Sequence, residues 1–317
     1  MPAFSCAARA PLGALPRRLR RTRLLIVGCG DVGLRVARLS RPSGATACSD
    51  AGPRLYALTS QADRCNALRS HGITPLVGNL DEPATLRRLA ALASRVLHLA
   101  PPPGHGDGDP RTLNLLRALS RASTVQRLVY ASTTGVYGDA GGARFDETRA
   151  TAPASARGRR RVEAERSIRA WARRQGRTAS LLRIPGIYAL DRPGGHPRER
   201  LLRGTPVLRD EDDVYTNHIH ADDLARTCLA ALWRGAPQRV YHASDDSVLK
   251  MGDYFDLAAD LCGLPRPPRI SRAQAGVQLA PMLLSFMSES RQLDNRRLKD
   301  ELRVALRHPH VRTGLLA

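Results

Sequence analysis

A chain of 317 residues can form one large or two medium domains, and its 42% hydrophobic content supports a packed core and excludes wholesale disorder. The formal net charge is +21, yet Lys250 and Lys299 are the only lysines, so 48 of the 50 basic residues are Arg, spread over every segment. Aromatics make up only 4%, too few for a basic stripe with interleaved rings. Nucleic acid is therefore a poor partner, and the charge favours a small anionic ligand.

Residues 1–22 carry Arg, Pro and Ala and no acid. The cluster Arg17 to Arg23 follows the mildly apolar part, the reverse of a secretory signal, so the reading is a disordered basic tail. Four apolar residues, Leu24 to Val27, then run into Gly28-Cys29-Gly30-Asp31-Val32-Gly33. Val32, Val36, Ala37 and Leu39 follow at helical spacing. A strand, a Gly-x-Gly-x-x-Gly turn and a helix form a dinucleotide-binding unit. Gly28 allows the tight turn, Gly30 lets a diphosphate approach the backbone, and Gly33 lets helix and strand pack closely.

Arg41 to Pro53 reads as a loop and Arg54 to Thr59 as the second strand. An acid at the tip of that strand would bind the ribose hydroxyls of NAD. The tip here is Ser60-Gln61-Ala62-Asp63-Arg64, where Ser60 is neutral and Arg64 can reach a 2′-phosphate, which leans to NADP. Asp63 keeps NAD open. A helix through Leu68 and a third strand, Ile73 to Val77, follow. Asp81 is expected to cap a helix from Thr85 to Leu92 with Pro83 in its first turn. Arg95 to Ala100 is a fourth strand, in which His98 reads as a packed histidine. Residues 111–121 are a helix, and Arg127 to Ser132 a fifth strand that ends at Thr133 and Tyr137. Arg157 to Trp171 is a long helix, and Thr178 to Arg183 and Arg239 to Ala243 are further strands. Asn217 to Asp223 leads into a helix from Leu224 to Trp233. Asp253 is expected to cap a helix from Tyr254 to Leu261, which Gly263 ends. Strands alternating with helices predict an α/β chain with a doubly wound parallel sheet, whose ligands sit beyond the strands' carboxyl ends. Six scattered cysteines (Cys6, Cys29, Cys48, Cys65, Cys228 and Cys262) form no Cys-x-x-Cys pair or Cys/His cluster. No metal is expected, and free thiols fit a reducing, cytoplasmic setting. No apolar run reaches the ~18 residues of a membrane span.

The glycine loop, Val77-Gly78-Asn79-Leu80-Asp81, Ala131 to Gly138, Leu182 to Tyr188 and Asn217 to Ala225 together resemble the short-chain dehydrogenase/reductase superfamily. The branch they are most similar to is the extended or atypical one, grouped as NAD-dependent epimerases/dehydratases. The likeness covers roughly residues 23–265. It implies a Rossmann-type domain over residues 23–185, completed by about 217–245, and a small discontinuous substrate domain from 186–216 and 246–317. It also implies that Asn79 and Leu80 lie along the adenine, Ala100 over the cofactor and Pro185 beside the nicotinamide. Thr133 would be the catalytic Ser/Thr, and the run from Asn217 would close the substrate site.

The family's Tyr-x-x-x-Lys pair is absent. Alignment puts Arg157 at the Tyr position and Arg161 at the Lys position. Arg161 still offers a charge and hydrogen bonds to a ribose. Arg157 keeps its proton, so it can clamp an anion but cannot act as a general acid/base. Tyr137, Tyr188 or His220 would then have to supply the proton. Tyr137 is the best placed by sequence, and of His218 and His220, which alternate, one faces the site. The expected function is an NAD(P)-dependent oxidoreductase or epimerase/dehydratase acting on a carbonyl or sugar-nucleotide-type molecule. The alternative is an NADP-binding sensor or scaffold without chemistry. The family often dimerises through the helices around the fifth strand, so a homodimer is an expectation as well.

Overall fold

The computed structural model describes residues 21–41, 52–121 and 124–317, so the basic tail and most of the 41–53 loop lie outside the described residues. Seven strands build the central sheet: β1 (Arg23–Val27), β2 (Arg54–Thr59), β3 (Thr74–Val77), β4 (Arg95–His98), β5 (Arg127–Thr133), β6 (Thr178–Ile184) and β7 (Arg239–His242). They lie in the order β7-β6-β5-β4-β1-β2-β3, and every pairing is parallel. The order reverses between β1 and β4, the switch point where ligands of such sheets bind.

Both faces of β1 are covered, as its unbroken apolar run requires. Leu24 and Ile26 join one buried cluster with α1 (Asp31–Leu39), while Leu25 and Val27 join the other. α2 (Arg64–Ser70) links β2 to β3. α3 (Pro110–Ser120) and α4 (Ala156–Arg174) send Leu115, Leu119, Ile168 and Trp171 to the Leu25 side. α5 (Ala221–Arg234) sends Leu224, Cys228 and Leu232 to the Leu24 side. The result is the three-layer, doubly wound α/β architecture that the strand–helix alternation predicts.

A further buried cluster gathers Leu201, Val207, Met251, Phe255, Leu279 and Val311, from segments either side of β7, around α6 (Met251–Cys262). Short pairings tie these segments to the sheet's carboxyl edge. Gly186–Tyr188 pairs with His218–His220, and Arg144–Phe145 pairs with Gln292–Leu293. The second pairing returns the carboxy-terminal segment to the end of β5.

Two local expectations are corrected. Pro83–Leu89 is a 3-10 helix and not the expected α-helix, because Thr85 Oγ1 bonds back to the Glu82 and Asn79 carbonyls and tightens the turn. Its cap is Glu82. Asp81 instead forms a two-point pair with Arg111, at 2.7 and 2.9 Å. α6 starts at Met251 with Lys250 as its cap residue, so Asp253 lies in the first turn and caps nothing. Gly263 ends the helix in a left-handed conformation, φ 61°.

Candidate active site

The dinucleotide end is built from backbone. Gly28 has φ +84°, and a Cβ there would lie 2.5 Å from the Ala100 nitrogen, so the turn presses directly on the end of β4. Gly33 packs against Cys29 Sγ and Ile26, where a Cβ would meet 3.1 and 3.2 Å contacts. Gly30 is different. It is the cap residue of α1, has extended backbone, and a Cβ on it would meet no atom within 4 Å. No side chain caps the first turn of α1, so its N–H groups remain for an anion in that open space. These features fit a diphosphate of NAD or NADP, which, when bound, supplies a nicotinamide as hydride donor or acceptor.

The neighbouring side chains divide their work. Cys29 is buried, its thiol pushed up to about 11 by burial, and it contributes its carbonyl, which accepts from Arg64 Nη2 at 2.9 Å. Asp31 pairs with Arg35 and, at 2.7 Å, with Arg192, so it ties α1 to the 190–197 loop. Val32 packs on the core. A cleft of about 210 Å³ is lined by Gly28, Cys29, Ser60, Arg64, Asn79, Leu80 and Ala100, all expected there, and by Gln61 and Arg111, which were not. Asp63 caps α2 by accepting from the Arg64 nitrogen at 3.0 Å. The Asn79 side chain is used within its own turn, toward Glu82 and Asp81.

A larger cleft of about 590 Å³ opens beyond β5 and β6. Thr133, Arg157, Pro185, Tyr188 and His218 line it, five of the residues the sequence singled out. Arg192, Arg200, Arg203 and Arg291 join Arg157 against only Glu199 and Glu289, so the cleft is cationic. Arg200 is suspended over the Phe255 ring at 4.1 Å with Nε and Nη2 buried and unpartnered. Burial draws it down to about 10. Thr133 Oγ1 accepts from the Gly135 nitrogen at 3.3 Å, which leaves its own hydrogen free to donate.

Other expected site residues sit elsewhere. Tyr137 is outside the cleft: it is 1% exposed, and its hydroxyl lies 2.6 Å from His242 Nε2. His242 Nδ1 donates to the Asp294 carbonyl, so Nε2 accepts from Tyr137, and burial lifts the phenol to about 12. His220 is the cap of α5, accepting from the Asp222 nitrogen through Nδ1, and does not line the cleft. Tyr188 lines it, but its hydroxyl is bonded to Asp245 at 3.4 Å. Arg161 turns inward to the Tyr130 hydroxyl (3.0 Å) and the Ala131 carbonyl (2.6 Å) and lines neither cleft. His218 is the histidine of the pair that meets the cleft. It is stacked on Tyr254 at 4.2 Å with Nδ1 unpartnered, and is drawn down to about 3 by burial, hence neutral.

The model of the NAD dependent epimerase/dehydratase family matches residues 45–243, more than half of the chain. The chain belongs to that family. A solved structure described as a functionally unknown conserved protein from Silicibacter pomeroyi DSS is 32% identical, with a TM-score of 0.78 over 93% of this chain and 97% of that one. MoeE5, solved with UDP-glucose and NAD, is 23% identical (TM-score 0.69, 93% and 96% covered). UDP-glucose 4-epimerase from Thermotoga maritima, solved with UDP-glucose, is 17% identical (TM-score 0.73, 93% and 98% covered). These last two share the fold. Comparison with the curated proteins finds no match. No helix among the described residues is long and apolar enough to cross a membrane.

Proposed function

We propose that this member of the family is an NAD(P)-dependent oxidoreductase or epimerase acting on a sugar nucleotide or a similar anionic hydroxy or carbonyl compound. The observation that carries the reading is the cationic cleft of Arg157, Arg192, Arg200, Arg203 and Arg291, which meets Thr133 beyond β5. Five guanidinium groups, of which Arg192 is paired with Asp31 and Arg291 with Glu289, leave a net positive cleft that suits a diphosphate, and Thr133 can donate to a reacting oxygen. In this reading residues 186–216 and 246–317 form the substrate-binding unit. Arg64, with Asp63 engaged as a cap, favours the 2′-phosphate of NADP over the free ribose of NAD. One observation favours the second reading, a cofactor-binding sensor or scaffold: Arg161 is committed to Tyr130 and Ala131 and faces neither cleft. Calorimetry with NADP+, NAD+ and UDP-glucose, followed by absorbance at the reduced-nicotinamide band and chromatography of the sugar nucleotide, separates the two. Binding of cofactor and sugar nucleotide with turnover supports the enzyme. Cofactor binding without turnover of any carbonyl or sugar-nucleotide substrate supports the sensor, and no heat with either dinucleotide removes both.

A further inference from the structure

We propose that Glu289 is the proton acceptor of this site, delivered by the carboxy-terminal segment to the place where Arg157 cannot serve. The inference deepens the proposed function and rests on it. Glu289 lines the large cleft together with Thr133, Gly135 and Arg157. The point where a Cβ on Gly135 would sit is 3.7 Å from Thr133 Oγ1 and 3.9 Å from Glu289 Oε2, so the two side chains border the same stretch of the cleft wall. The carboxylate is firmly mounted. Arg291 Nη1 donates to Glu289 Oε2 at 2.6 Å and to the Gly138 carbonyl at 2.8 Å. The Ser290 nitrogen donates to Asp139 at 2.7 Å, and Gln292–Leu293 pairs with Arg144–Phe145. Oε1 makes no hydrogen bond among the described residues.

The candidates raised by the sequence are less free. The arginines of the cleft hold their protons, Tyr188 is bonded to Asp245, Tyr137 is outside, and His218 is stacked on Tyr254 with its open Nδ1 buried. Glu199 belongs to the short helix Arg198–Leu202, which packs on α6 and not on β5. In the step, a substrate hydroxyl gives its proton to the Glu289 carboxylate, and a nicotinamide held by the glycine loop would take up the hydrogen on the same carbon with its electron pair. The oxygen's pair closes the carbonyl. The reverse step returns both. Thr133 donates to the substrate oxygen throughout, and Arg157 stabilises the negative charge it gathers.

Wild type, Glu289→Gln and Glu289→Ala are compared for melting, for calorimetric binding of NADP+, NAD+ and UDP-glucose, and for turnover of UDP-glucose read both as reduced nicotinamide and as converted sugar nucleotide. Glu289→Gln is expected to melt like wild type and to bind UDP-glucose at least as tightly, since an opposing charge is gone. Its kcat should fall by ~10²–10³-fold. Formate should restore at least about tenfold of the rate of Glu289→Ala and leave wild type unchanged. Full kcat in Glu289→Gln or absence of formate rescue overturns the role. Wild type that binds cofactor and UDP-glucose but neither reduces cofactor nor converts UDP-glucose overturns the role of Glu289 alone, and wild type that binds neither dinucleotide overturns the proposed function with it.

Discussion

Gly28 and Gly30 stand two residues apart in one loop, yet replacing each by Ala should do opposite things. At Gly28 the backbone has φ +84°, and the added Cβ would meet the Ala100 nitrogen at 2.5 Å and its Cα at 2.7 Å. Those are backbone atoms at the end of a central strand and cannot step aside. A left-handed non-glycine residue costs about 1–3 kcal/mol and overpacking about as much again, so Gly28→Ala should lose about 2–6 kcal/mol of stability. In a chain of this size that is a drop in Tm of roughly 3–9 °C. At Gly30 the backbone is extended and the Cβ meets nothing within 4 Å. Gly30→Ala should therefore fold as well as wild type, or gain about 0.4–1 kcal/mol from the stiffer unfolded chain. The methyl group occupies the space a diphosphate needs above the first turn of α1. Loss of one or two charge-assisted bonds at about 1.5–3 kcal/mol each predicts dinucleotide binding weaker by about 10–10⁴-fold. Urea unfolding and calorimetry on both variants check the contrast. If Gly30→Ala binds NADP+ and NAD+ like wild type, the diphosphate does not lie there and the cofactor assignment of this loop is wrong.

Arg183 and Glu165 form a pair buried to 4% exposure on each side, bonded at 2.7 and 3.1 Å. Arg183→Leu alone should cost about 3–5 kcal/mol by stranding the carboxylate, and Arg183→Met with Glu165→Met should recover most of it, as read by urea unfolding. His98 and His218 are held to about 3 and His242 to about 4 by burial, below the unfolded value. The unfolded chain therefore binds more protons below pH ~6.5, and stability present above that pH should fall as the solution is acidified, by up to about 4 kcal/mol per pH unit for three such groups. Asp245 acts in the opposite sense. Burial lifts it to about 8, so the folded chain holds the extra proton and stability declines from pH ~4 toward 8, a decline that Asp245→Asn should flatten. Arg64→Ala should weaken NADP+ by about tenfold or more while leaving NAD+ within about threefold; equal losses would deny Arg64 a part in cofactor choice. Tyr137→Phe should keep turnover within a few-fold but cost about 1–2 kcal/mol, because His242 Nε2 loses its donor.

The two ends of the site were unequally legible in the sequence, and the reason is how far apart in the chain their determinants lie. At the dinucleotide end, four apolar residues, three glycines and a helical stripe decide the local backbone within about one strand–turn–helix unit, and backbone is what the end is made of. At the substrate end the function falls to side chains whose direction is set by partners far away. His218 and His220 alternate, so one of them had to meet the cleft. Only the pairing with Gly186–Tyr188 and the start of α5 at Ala221 determine that His218 lines it while His220 caps the helix. Tyr137 follows Thr133 at a spacing that suggests the site, but the 3-10 turn Thr134–Tyr137 and the His242 partner on β7 turn its ring inward. Nothing near Glu289 in sequence marks it as a site residue. Its position depends on the register of Gln292–Leu293 against Arg144–Phe145. A tyrosine missing from one helix is therefore poor evidence that a site is inert, because a fold that returns its carboxy-terminal segment to the end of β5 can bring a proton-bearing group there from a stretch that carries no motif at all.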